Sequence, residues 1–233
     1  KPFTFVGWKR SPFLSKVTGS MVPNWDHIKI DVPTTIRDEY EPSLTIGAPA
    51  AYAIPPEWTE VIAKLRNHGL KMTVLAKPMT GTFEGYRFSA VKFASTPFEG
   101  RFQPTFTTQT IHDTRTLPAG TVIVPLKQVG AKLAMTLLEP TAPDSFMKWG
   151  LFNNIFEQKE YFETYSMEAV AADMLSKDSN LQKEFEEKLK DPAFAANPRA
   201  RLQFFFERSQ YVDAYLNRYP IVRLSEQELA AQK

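Results

Sequence analysis

Cysteine is absent from the 233 residues, which removes disulfide frameworks, zinc–cysteine sites and thiol nucleophiles together. The absence leaves the compartment open, because many exported bacterial proteins also lack cysteine. Histidine is scarce, with three copies at His27, His68 and His112, about 40 residues apart. A local catalytic metal site needs clustered ligands at short fixed spacings. No histidine here has a glutamate at its third or fourth following position, and no two lie within one helical turn. The residues therefore mark no metal ligand. Glycine numbers ten, and neither a Gly-x-Gly-x-x-Gly pattern nor a phosphate loop occurs. No Gly-x-Ser-x-Gly elbow exists either, so no residue is assigned a catalytic role. No run of about 18 apolar residues could span a membrane. The near balance of 28 basic against 26 acidic residues gives no broad reason to expect nucleic acid.

Aromatic residues and proline are plentiful: 18 Phe, 8 Tyr, 4 Trp and 18 Pro. With 43% hydrophobic residues, this predicts a globular protein with a well-packed core rather than disorder. The chain opens at Lys1-Pro2-Phe3, without an initiator methionine or signal peptide, inside what reads as ordinary structured sequence. That suggests a portion of a longer protein.

The alternating His27–Val32 stretch predicts a half-buried strand. Ala50–Ile54, a helical face of Trp58, Val61, Ile62 and Leu65 closed by His68-Gly69, and Lys71–Leu75 together predict a βαβ unit with a parallel pair. From Thr80 to Thr116 the period becomes two, predicting antiparallel strands with Thr105–Thr116 at an edge. Thr121–Pro125 reads as a strand buried on both faces, and Lys127–Leu138 as a helix. Helices are then expected from Asp144-Ser145 through Phe156, over Met167–Leu175, over Asn180–Leu189 capped by Asn180, and over Pro198–Leu216 capped by Asn197. The expected class is α/β (α+β): a mixed sheet-and-helix body over 1–143 and a helical region over 144–233, packed as one unit.

One short loop stands out. Leu137–Phe146 gathers two prolines, an acid and a capping residue at the boundary of sheet and helices, which makes it rigid. A ligand site, if present, is expected here, with Asp144, Ser145, Trp149 and Asn153. A cap and hinge is the competing reading.

Several stretches resemble the C-terminal region of bacterial zinc carboxypeptidases. They are Pro49–Pro55, Leu65–Leu70, Leu137–Trp149, Asp191–Ala195, Pro198–Leu202 and Tyr219–Arg223, in that order along the chain. The resemblance implies an exported parent protein, periplasmic or extracellular, whose N-terminal peptidase domain holds zinc through a His-x-x-Glu pair and a distant histidine. None of those ligands has a counterpart here, so the implied role is an accessory, non-catalytic region with the peptidase domain as partner, peptide as a further candidate partner and no cofactor of its own. A stand-alone peptide- or glycan-binding module using exposed aromatics is the alternative. An independent enzyme on the sheet body is a third reading, in which thiol chemistry is excluded.

Overall fold

A computed structural model describes residues 1–159 and 161–231. The chain forms two compact units, 1–47 and 48–233. The expected body over 1–143 thus contributes to both units, and the expected helical region lies wholly within the second.

In the first unit, β1 (Pro2–Arg10) pairs antiparallel with β4 (Trp25–Thr35), and a small hairpin joins β2 (Phe13–Leu14) to β3 (Met21–Val22). Opposite residues in a ladder share a face. Phe3 faces Thr34, Phe5 faces Val32 and Gly7 faces Ile30, so one side of the ribbon is a continuous apolar strip. The predicted strand over His27–Val32 exists, but it is not half-buried: Phe5 is 56% and Ile28 56% exposed. A two-stranded ribbon has no second layer in which to bury them.

The second unit is built on a six-stranded sheet of order β6-β9-β5-β10-β7-β8. Its strands are β5 (Ala51–Ile54), β6 (Thr73–Val74), β7 (Met79–Phe93), β8 (Pro104–Leu117), β9 (Val122–Pro125) and β10 (Val222–Leu224). Every pairing is antiparallel. The expected parallel pair is thereby corrected. β5 and β6 do run in the same direction around helix α1 (Thr59–Asn67), but β9 inserts between them and pairs with both. A later strand supplying both ladders is invisible to local periodicity. β8 lies at the edge, as its threonine-rich composition predicts, and β9 is buried on both faces.

Alternation along the central strands separates two cores. Tyr52, Ile54 and Val124 point to one side, where α1, helix α2 (Ala131–Leu138) and the turns carrying Phe146, Met147 and Phe152 cover them. Ala51, Ala53 and Ile123 point to the other, with Phe83, Leu117, Val222 and Leu224. Gly69 takes the left-handed conformation (φ +75°) that ends α1 after His68, as expected.

The C-terminal helices form a third core around Phe185 and the Phe204–Phe206 run. They are α3 (Thr164–Lys177), α4 (Ser179–Lys188), α5 (Pro192–Ala195) and α6 (Pro198–Phe206); α7 (Glu226–Ala230) follows β10. Asn197 caps α6 by accepting from the Ala200 amide, as predicted. Asp178, rather than Asn180, caps α4. Being one residue outside the helix with extended backbone, its carboxylate reaches the Asn180 and Leu181 amides. α6 stops at Phe206 instead of Leu216, because Ser209 and Asp213 bond nearby backbone and favour turns. The helix expected from Asp144 is a series of turns ending in a 3-10 helix over Asn153–Phe156. Gly150, at φ +71°, breaks it.

Candidate functional site

The four residues expected to line a site separate by role. Ser145 is fully buried; its hydroxyl donates to the Pro140 carbonyl (3.1 Å) and accepts from the Lys148 amide (3.1 Å), so the side chain holds the turn. Asn153 donates through Nδ2 to the Phe102 carbonyl at 2.9 Å, tying the Phe98–Arg101 loop to Gly150, where a Cβ would stand 2.8 Å from that amide. Asp144 and Trp149 come together with Lys64, Glu99 and Arg101 along an open depression of about 430 Å³. Trp149 there rests near Phe98, ring centroids 6.0 Å apart.

A buried polar cluster lies beneath this region. Glu139, 3% exposed at the end of α2, accepts from the Tyr52 hydroxyl at 2.5 Å and the Tyr86 hydroxyl at 2.8 Å, and its carboxylate lies 3.2 Å from Arg223 Nε. Arg223 also pairs with Glu84, and the Tyr219 hydroxyl donates to the Leu138 carbonyl at 2.7 Å. Burial first, and then the Glu139 charge, push Tyr52, Tyr86 and Tyr219 well above the usual tyrosine value. For Arg223, burial opposes the charge but Glu139, Tyr86 and Glu84 outweigh it, and its pKa rises. Tyr52 and Tyr86 thus remain neutral donors to a buried carboxylate, and Tyr219 a neutral donor to a backbone carbonyl. The arrangement pins the start of β5, the end of α2 and β10 to one point. Three stretches that resemble carboxypeptidases meet here: Pro49–Pro55 brings Tyr52, Leu137–Trp149 brings Glu139, and Tyr219–Arg223 brings both of its ends.

Tyr219 also lines a cavity of about 380 Å³ beside the long β7–β8 hairpin. One wall holds Arg115 and Arg218, whose side chains are only 11% and 10% exposed. Asp113, two residues before Arg115 on the same strand face, grips Arg115 through two bonds of 3.0 and 3.3 Å and also pairs with Arg218. Arg115 reaches the Tyr219 carbonyl at 3.4 Å, and the Arg218 guanidinium lies over the Tyr215 ring. Burial lowers the Arg115 pKa; the Asp113 hydrogen bond opposes that and the Arg218 charge reinforces it. Arg218 Nε is buried and has no hydrogen-bond partner among the described residues. The remaining walls are apolar or aromatic (Pro55, Trp58, Leu117, Pro118, Ile155, Pro220), with Glu57, Lys159 and Asp213 among the lining. Among the described residues that line it, none is a serine or a histidine. The cavity thus sets two guanidinium groups, both held by Asp113, beside an apolar and aromatic lining.

The chain is similar to fungal carboxypeptidase 2. It is 31% identical to carboxypeptidase 2 of Trichophyton rubrum over 144 residues, 61% of this chain and 27% of that protein. It is 33% identical over 115 residues to probable carboxypeptidase 2 of Arthroderma benhamiae, 49% of this chain and 22% of that protein. A similar match, 34% over 110 residues, links it to probable carboxypeptidase 2 of Trichophyton verrucosum. A region of this chain is therefore carboxypeptidase-related, and these relatives are fungal, where the motifs had suggested bacterial proteins. The aligned part is about a quarter of the length of the curated relatives. No family model and no solved structure matches the chain.

The three histidines have separate surroundings. His27 meets the Trp8 ring edge-on, His68 closes α1, and His112 on β8 lies 3.8 Å from Glu84. Among the described residues, no three His, Asp or Glu side chains converge in a way that could hold a metal ion. Sequence reasoning missed Arg115, Arg218 and Glu139. Asp113-Thr114-Arg115 is a same-face pair on a strand and could have been flagged; Arg218 and Glu139 owe their roles to tertiary contacts.

Proposed function

We propose that this chain is the accessory, non-catalytic C-terminal region of an exported zinc metallocarboxypeptidase, with an N-terminal peptidase domain of the same protein as its partner. The observation that carries the reading is the 31% identity to carboxypeptidase 2 over a stretch that makes up only 27% of that protein. The metal and the hydrolytic water belong, on this reading, to the partner domain, and no step of hydrolysis is assigned to residues of this chain. Export, to the periplasm or outside the cell, follows from the same relationship; no helix among the described residues is long and apolar enough to cross a membrane. The purified chain, supplied with zinc and unblocked peptides, is expected to release no amino acid, whereas the longer protein carrying it trims their C-termini. Stoichiometric tight zinc with hydrolysis by the chain alone would overturn the proposal.

A binding-module reading is favoured by one observation. Trp8 and Trp25 on the β1/β4 ribbon are 46% and 56% exposed, which suits stacking on a peptide or glycan. Retention on peptide or glycan resins that is lost in Trp8→Ala would select this reading.

A further inference from the structure

We infer that the open depression holding Asp144 and Trp149 is a binding site for a neutral pyranose sugar with equatorial hydroxyls. Four charged side chains line it, Lys64 and Arg101 against Glu99 and Asp144, so its polar rim has no net charge. An ionic ligand of either sign meets groups of its own sign there, and a purely apolar one gives the four nothing to bond. Hydroxyl groups, which both donate and accept, answer carboxylates and cations alike. Glu60 holds Arg101 at 2.9 Å and Lys64 at 3.6 Å, which sets the two donors in place. The Glu99 and Asp144 side chains enter no hydrogen bond or ion pair among the described residues, so both carboxylates can accept from a ligand.

The apolar part of the lining selects the other face of the ligand. Trp149 contributes its indole, with Phe98 beside it at a shallow interplanar angle of 34° and Leu137 and Leu151 along the same depression. The face of an aromatic ring is electron-rich and attracts weakly polarised C–H bonds. A pyranose with equatorial hydroxyls turns C–H bonds to its flat sides and hydroxyls to its rim, which matches both parts of the lining. A peptide brings one backbone donor and one acceptor per residue and has no such ring of two-way groups. The parts are also set in advance. Ser145 holds the turn before Trp149, and Asn153 anchors the Phe102 carbonyl next to Arg101. Glu99 and Gly100, at φ +47° and +75°, form the two-residue turn between Phe98 and Arg101. Glycine, asparagine and aspartate are the usual occupants of such turns. A glutamate there stands in a conformation that local stability disfavours and that a ligand contact explains. The volume of about 430 Å³ is that of a small-molecule site. The inference goes beyond the peptidase reading, and it concerns a different unit from Trp8 and Trp25.

The test titrates the whole chain with cellobiose, with methyl glucuronide as a charged sugar and with N-acetylphenylalaninamide as a neutral peptide analogue, following the indole N–H resonances in nitrogen-15 spectra. Cellobiose is expected to bind with a Kd of about 1 mM and to move the Trp149 signal, leaving those of Trp8 and Trp25 in place. The other two probes should bind at least about fivefold more weakly. Trp149→Ala should weaken cellobiose by about tenfold or more, and Asp144→Asn by about threefold. Glu99→Gly relieves the turn, so it is expected to keep or raise the unfolding midpoint while weakening cellobiose by about threefold. A Trp149 resonance that stays fixed at high cellobiose, or that moves as readily with the peptide analogue, would overturn the assignment. So would full affinity in both Asp144→Asn and Glu99→Gly, or a response confined to Trp8 and Trp25. The wild-type titration decides the question even if Trp149→Ala does not fold. Peptide hydrolysis by the chain alone would defeat the accessory reading while leaving these results untouched.

Discussion

The two units use the same kind of sequence to opposite ends. In the β1/β4 ribbon, Phe3, Phe5, Ile30 and Val32 share one face and remain exposed. In the six-stranded sheet, Tyr52, Ile54, Phe83 and Ile123 are no more apolar, yet each is 1% exposed or less. What differs is the second layer. Helices α1 and α2 and the Phe146–Phe152 turns lie over one sheet face, whereas the ribbon has nothing of its own to pack against. Alternation tells which side of a strand is apolar; it does not tell whether anything covers that side.

That contrast can be broken by substitution. The largest effect is expected for Glu139→Ala, which strips Tyr52 and Tyr86 of their acceptor and Arg223 of one of its ion-pair partners deep in the second unit. A loss of about 3–5 kcal/mol is expected in urea unfolding of that unit. Phe152→Ala removes a fully buried ring wedged 4.6 Å from Trp58 and 5.2 Å from Tyr219. It should cost about 3 kcal/mol or slightly more by the same measurement.

Alkaline pH sharpens the comparison without a mutation. Because the fold raises Tyr52, Tyr86 and Tyr219, their contribution is complete below the ordinary tyrosine value of about 10 and is lost as pH climbs past it. Stability of the second unit should therefore be level to about pH 9, bend near pH 10 and above that fall by roughly 1.4 kcal/mol per pH unit for each tyrosine. Tyr52→Phe should make the decline shallower by one such increment. Tyr52, Tyr86 and Tyr219 all belong to the second unit, so Trp8 and Trp25 fluorescence in the first should report no matching transition. Asn197→Ala, which deletes the α6 cap, is expected to cost about 1 kcal/mol. Smallest of all, Phe5→Ser should lower the unfolding free energy by less than about 0.5 kcal/mol, since the ring is 56% exposed. A large loss there would mean that the apolar strip is covered.

Much of the local structure was legible. The helix over α1 and its His68-Gly69 end, the edge position of β8, the doubly buried β9 and the Asn197 cap each follow from spacing and residue type. Ladder partners were not legible, because β9 and β10 enter between strands that are close in sequence, and nothing in Val122–Pro125 or Val222–Leu224 names its neighbours. The expected helix after Asp144 failed at Gly150, where backbone conformation overrides the aromatic spacing of Trp149, Phe152 and Phe156. As for the site, the Asp144 loop was located as a rigid feature, and two of its four side chains share a depression. The arginine cavity was hidden because Arg115 and Arg218 stand about 100 residues apart and neither lies in a recognisable motif.

The position of β10 bears on how such a chain is made. Among the described residues only Val222–Leu224 joins the β6-β9-β5 half of the sheet to the β7–β8 hairpin, and it follows every other strand of that sheet in the chain. Until it is in place the two halves have no ladder between them, and β5 and β7 present open edges to any neighbouring strand. The sheet thus closes only once Val222–Leu224 has been made, and a polypeptide interrupted before Val222 would lose the middle of the sheet rather than a dispensable edge.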